Sequence, residues 1–99
     1  MKYTVRLSVA AQHDVEALLD YLVPVAGEAV AQGYVDRLRS FLEGFQSFPK
    51  RGTVRDEIRA GLRIVGFERS LSIAFTVEAE TVYILRIMSG GQELKLYEE

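Results

Sequence analysis

The chain has no cysteine and no tryptophan, and only two prolines and one histidine among its 99 residues. Without cysteine it has no disulfide and no thiolate metal site, which fits a reducing cytoplasm. No run of about 18 apolar residues suggests a transmembrane helix, and the opening MKYTVRLSV lacks the apolar stretch of a signal peptide. The expectation is a single domain over residues 1–99, soluble and cytoplasmic, with no membrane partner. A chain of this length buries roughly 60–65% of the surface its unfolded form exposes, enough to fold without staples. One histidine also leaves little material for acid–base chemistry. His13 falls on the polar side of a predicted helix, where solvated surface is the ordinary role. The paired carboxylates Asp56-Glu57 and Glu98-Glu99 are sequence neighbours and point apart on regular structure. No Gly-rich phosphate loop, metal-ligand spacing or nucleophile motif is present. No catalytic residue, no metal and no cofactor is therefore assigned.

What is present is a strand-rich second half. Residues 61–88, GLRIVGFERSLSIAFTVEAETVYILRIM, read as three strands joined by two short polar connections. Leu71, Ile73, Phe75 and Val77 alternate with Ser72, Ala74 and Thr76, the period of a strand with one buried face. Residues 81–88 are apolar on both parities, as a central strand covered on both faces requires, with Arg86 the one charge inside. Residues 78–80 form a hairpin connection that lacks the usual Gly or Asn. Upstream, Tyr3, Val5 and Leu7 alternate with Lys2, Thr4 and Arg6 in an edge or near-edge strand. Ser8 is placed to cap a first helix whose stripe is Ala11, Val15, Leu18, Leu19 and Leu22, and Pro24 predicts its end near Leu22. A second helix over 28–46 carries Ala31, Tyr34, Val35, Leu38, Phe41, Leu42 and Phe45 on one stripe, interrupted by Gly33 and Gly44. The fold class is α+β in the order β-α-α-β-β-β, a helical hairpin packed on a mainly antiparallel sheet.

The net charge of −2 and pI near 5.4 give no general attraction to nucleic acid. Its distribution is uneven. Residues 50–69 hold six cations against three acids, a local +3 that leaves −5 elsewhere. Lys50 and Arg51 occupy the tip of a loop between Pro49 and Gly52. Arg63 and Arg86 lie in apolar strands, where a guanidinium needs carboxylate or partner groups to satisfy its five donors. An internal salt bridge is one answer and a partner's acid the other. After Ser89-Gly90-Gly91, residues 92–99 read as a short last strand or as a tail docked on a partner, with Leu94 and Leu96 on one parity.

The order and spacing of these features resemble the ParE branch of the ParE/RelE superfamily of toxins from type II toxin–antitoxin systems. Ser8, Ala11, Asp14, Val15, Leu18 and Tyr21 resemble the family's first-helix pattern, in which Ala-x-x-Asp is followed by an aliphatic and later an aromatic residue. Pro49 and Gly52 match its Pro-x-x-Gly loop, and Gly61-Leu62-Arg63 its Gly-Leu-Arg. Ile73 and Phe75 occupy an Ile-x-Tyr position, and residues 82–87 resemble the last core strand. The chain departs from many members after that strand, where Ser89-Gly90-Gly91-Gln92 replaces a His followed by further basic residues. The resemblance implies a toxin that poisons DNA gyrase by protein–protein contact rather than an enzyme. It also implies neutralisation by a cognate ParD-like antitoxin with a ribbon-helix-helix head and an acidic amphipathic tail. The alternative is a ribosome-dependent messenger RNA endoribonuclease of the RelE type, which the acidic balance and the missing His disfavour. A third reading is an inactive binding domain. Antitoxin contact is expected at Leu62, Arg63, Ile84, Arg86 and Met88, and target contact at Lys50, Arg51, Lys95 and Tyr97.

Overall fold

A computed structural model describes residues 2–89. Strand β1 (Thr4–Leu7) leads into helices α1 (Val9–Ala26) and α2 (Glu28–Glu43), and a 3-10 turn at Gly44–Gln46 follows. The rest is β2 (Thr53–Val54), β3 (Arg63–Phe67), β4 (Leu71–Glu78) and β5 (Thr81–Ser89). These strands form one sheet in the order β1-β5-β4-β3-β2. The three expected C-terminal strands are all present and pair antiparallel, while β1 joins β5 in parallel. That parallel pair follows from the helical hairpin, which carries the chain back across the sheet as a crossover does. The two-residue β2 was not expected. A strand so short leaves no periodicity to read.

The helices cover one sheet face. Val35, Leu38, Phe45, Ile73, Phe75, Val82 and Ile84 are fully buried there, with the Phe45 and Phe75 rings 4.7 Å apart. The opposite face holds a smaller cluster of Leu62, Ala74 and Met88, flanked by Ile64 and Leu85. β4 is consequently buried on both parities at Ala74 and Thr76, not on one face alone. A bulge explains how β5 serves both clusters. Phe75 pairs with Ile84 and Ala74 with Arg86, so Leu85 is the extra residue. The parity flips at that point: Val82 and Ile84 face the helices before it, and Ile87 joins the same core after it.

One helix boundary differs from the sequence expectation. α1 runs through Pro24 and ends at Gly27, whose N–H donates to the Val23 carbonyl at φ 91°. Pro24 sits in the last turn on an exposed surface, where water can satisfy the Asp20 carbonyl that loses its partner. Glycine, which adopts positive φ without steric cost, sets the end instead. α2 converts to a 3-10 turn at Gly44, near the expected end. Between β3 and β4 the three residues 68–70 join Phe67 to its partner Leu71; Glu68 and Arg69 both take positive φ, and the Ser70 N–H donates to the Phe67 carbonyl.

Candidate functional site

The start of α1 is fastened to β5 just where β1 stops. Ser8 donates its backbone N–H to the Ile84 carbonyl (2.9 Å) and its hydroxyl to the Leu85 carbonyl (2.8 Å), and that hydroxyl oxygen also accepts the Ala11 amide. One turn later Asp14 reaches the same strand. Its carboxylate accepts Arg86 Nε and Nη2 and the Ile87 amide, each at 2.8 Å. Both side chains are largely buried, at 14% and 15% exposure. Arg86 is thus engaged within the chain by the internal-salt-bridge answer. Asp14 stood in the sequence only as part of the family's first-helix pattern, and Arg86 as the lone charge in an apolar strand.

The other residues expected at the partner surface divide between the two sheet faces. Ile84 is fully buried beneath the helices, and Leu62 and Met88 are buried in the opposite cluster, so none of these three lines an open surface. The bulge and the second cluster cause the correction, because they close positions that strand parity alone leaves open. Arg63 is half-buried and donates to the Arg51 carbonyl.

Lys50 is exposed, but Arg51 does not form an exposed tip. Its guanidinium lies 4.9 Å from the Phe45 ring centroid and 5.2 Å from that of Phe41, and its Nε donates to the Phe48 carbonyl. A weakly hydrated planar cation gains from two ring faces and loses little water, so this arginine belongs to the fold. Arg51→Ala is expected to lower stability by about 1–2 kcal/mol, while Lys50→Ala stays within about 0.5 kcal/mol, as chemical denaturation will measure. Equal small effects would contradict the packed role. Lys95 and Tyr97 lie outside the described residues.

An open apolar groove of about 700 Å³ runs between the tip of the helical hairpin and the far end of β4 and β5. Ala17, Leu18, Tyr21 and Leu22 of α1 and Val30 and Tyr34 of α2 form its walls. Tyr21 and Val30 are 68% and 60% exposed, and Val25 nearby is 66% exposed. Isolated exposed apolar residues are ordinary, but a contiguous apolar groove with a polar rim marks a docking surface. The rim is electrostatically organised. Arg37 forms a two-pronged pair with Glu68 at 2.8 and 3.1 Å and stacks over Tyr34, whose hydroxyl meets the Ser70 hydroxyl at 2.6 Å. Tyr21 was visible in the sequence, whereas Val30, Arg37 and Ser70 join the groove only through the fold.

The Arg37 hydrogen bond holds the Glu68 carboxyl below its usual value of 4.5, and Glu68 in turn raises Arg37. A lowered folded value means that the pair's stabilisation is complete above the ordinary glutamate range and is lost as pH falls through the folded value. A carbon-detected NMR titration should therefore place the Glu68 midpoint below 4.5 and return it toward that value in Arg37→Ala. An unchanged midpoint would show that the pair does not form in solution.

Among the described residues no group of three or more His, Cys, Asp or Glu is placed to hold a metal, and no helix is long and apolar enough to cross a membrane. His13 is exposed. The arrangement is that of a binding surface: an apolar trough, a cation–carboxylate rim and a helix locked to the sheet.

Comparison with known proteins agrees. A family described as "ParE toxin of type II toxin-antitoxin system, parDE" matches residues 5–94. Toxin ParE3 of Caulobacter vibrioides is 31% identical over 68 residues, covering 69% of this chain and 67% of that protein. The solved chromosomal ParDE toxin–antitoxin system from P. aeruginosa superposes with a TM-score of 0.77 at 25% identity, over 89% of this chain and 96% of that one. A chain of the RelBE2 toxin–antitoxin complex from Mycobacterium tuberculosis shares the fold with a TM-score of 0.63 at 22% identity, over 93% and 95% of the two chains. The chain belongs to the ParE toxin family of type II toxin–antitoxin systems.

Proposed function

We propose that this ParE-family chain poisons DNA gyrase by protein–protein contact in the cytoplasm and is neutralised by a cognate ParD-like antitoxin. The antitoxin has a ribbon-helix-helix head, and its amphipathic acidic tail lies in the groove between the hairpin tip and the sheet. The observation that carries this reading is the groove itself: Tyr21 and Val30 stand exposed beside Leu18 and Leu22, with Arg37 at the rim. An amphipathic helix laid into such a trough buries apolar side chains and brings its acids within reach of the arginine. Family membership supports action by binding rather than by catalysis. The net charge of −2 supports the same choice, since it gives no general attraction to RNA phosphates.

Target contact is assigned to Lys50, which is exposed on a loop, and to Lys95 and Tyr97, which lie outside the described residues. Arg51 leaves this set because its side chain is packed on Phe41 and Phe45. Purified toxin added to gyrase and relaxed plasmid should block supercoiling, and prior addition of the antitoxin should restore it. Undiminished supercoiling together with codon-specific cuts in messenger RNA on translating ribosomes would replace this reading with the endoribonuclease one.

A further inference from the structure

The sheet face away from the helices carries a second depression, of about 710 Å³, which crosses β1, β5 and β4. Val82 and Ile84 belong to the core beneath the helices, so the alternation of a strand turns Tyr83 between them to the outer face. Arg6 of β1 and Thr76 of β4 are the register partners of Tyr83 on either side, and the three side chains form one row across three strands. Glu78, two residues beyond Thr76 on β4, shares that face. The loop between β2 and β3, closed by the Arg55 N–H on the Leu62 carbonyl, brings Arg59 to the same place. Leu85, the bulged residue, supplies apolar lining.

Arg6 and Arg59 are exposed, and neither has an ion pair among the described residues. This sets them apart from Arg37, Arg55 and Arg86, each of which holds a carboxylate of this chain. Glu78, the acid of the depression, meets the Thr76 hydroxyl at 3.4 Å instead. Two cations and one acid line the depression, a local excess of positive charge in a chain whose net charge is −2. Arginine and tyrosine are also the side chains that most often carry binding energy at protein interfaces.

We propose that this depression is a target-contact site that takes an acidic loop of the target protein, with a carboxylate held by Arg6 and Arg59 and a neighbouring apolar side chain resting on Tyr83 and Leu85. This rests on the reading that the chain acts by contact with gyrase. It places that contact on the opposite side of the sheet from the first groove, so a chain altered here loses its target and keeps its antitoxin. A guanidinium fork matches a carboxylate through two parallel hydrogen bonds, and an exposed arginine with no acid of its own has those donors to offer. A nucleic-acid strand fits less well, because its affinity comes from many neutralised phosphates, and two cations with Glu78 between β4 and solvent neutralise few.

The test sets the full chain beside two double variants, Arg6→Glu with Arg59→Glu and the neutral Arg6→Gln with Arg59→Gln, in gyrase supercoiling and in calorimetric binding of the cognate antitoxin. Both positions are exposed, so the fold should survive, as urea unfolding will check, and the neutral pair carries the test if the charge reversal does not fold. The toxin concentration that halves supercoiling should rise about 100-fold or more for the charge reversal and about tenfold for the neutral pair. Antitoxin affinity should change by less than about threefold in both. Raising the salt concentration should weaken inhibition by the unaltered toxin more steeply than inhibition by the neutral pair. Undiminished inhibition by the folded variants would overturn the site while leaving the gyrase reading intact. An equal loss of antitoxin affinity would overturn it by giving the depression to the antitoxin. Binding of a short DNA duplex that the neutral pair loses would overturn it in favour of a phosphate ligand. Supercoiling untouched by the unaltered toxin would remove the gyrase reading and the site together.

Discussion

Asp14→Ala is expected to cost about 4 kcal/mol of folding stability and Arg86→Ala about 3 kcal/mol, the largest losses for side chains outside the apolar core. Asp14 is the more costly because its carboxylate satisfies three donors at once, two on Arg86 and the Ile87 amide. Removing it leaves a largely buried guanidinium and a backbone N–H without their acceptor, whereas removing Arg86 leaves a carboxylate that still holds the amide. The double variant should lose much less than the sum of the singles, because each single change strands the other partner. Urea unfolding of all four proteins measures this directly. Additive losses, or singles below about 1 kcal/mol, would show that the pair is solvated and incidental.

This pair also shows how far the sequence could be read. The element order and the three long C-terminal strands were legible because their apolar periods run for five or more residues and end at turns. The roles of Asp14 and Arg86 were only half legible, since a lone charge in an apolar strand announces that it needs a partner without saying whose. Met88 and Leu62 misled because a one-residue bulge at Leu85 and a second apolar cluster changed which positions stay open. Arg51 misled because nothing in a Pro-Lys-Arg-Gly loop reveals that the rings of Phe41 and Phe45, several residues earlier, lie under its guanidinium. Of the first groove only Tyr21 was legible. Its walls come from α1, α2, β4 and β5, and only the crossing of helices over sheet brings Tyr21, Val30, Arg37 and Ser70 to one trough.

The Pro49-x-x-Gly52 loop leads to the second large effect. Gly52 has φ 74°, and a Cβ placed on it would lie 2.2 Å from the Ile64 carbonyl oxygen and 2.8 Å from its carbon. The left-handed conformation alone costs a non-glycine residue roughly 1–2 kcal/mol. The contact adds to it, because both atoms are backbone and no side chain can swing away. Gly52→Ala should therefore destabilise by about 3 kcal/mol or more, by forcing apart the β2–β3 pairing at Thr53 and Ile64. Gly61 is the control. Its φ is 79°, yet no atom lies within 4 Å of the place a methyl group would take, so Gly61→Ala should show only the conformational cost of roughly 1–2 kcal/mol. Thermal unfolding of the two variants separates the two contributions, and equal losses would show that the close approach to Ile64 relaxes freely.

The most direct test of the docking account is the affinity of the cognate antitoxin for three forms of the toxin, measured by calorimetry with unfolding curves confirming the fold. Tyr21→Glu with Val30→Glu places two charges in the first groove at positions already more than half exposed, so the fold should survive while the trough is spoiled. Phe48→Glu places a charge at a residue that is 71% exposed but does not line that groove. Relative to the unaltered toxin, the expected affinity loss is about 100-fold or more for the groove variant and less than about threefold for Phe48→Glu, as when a few buried anchors carry most of the binding energy. Full affinity in the folded groove variant would contradict the account.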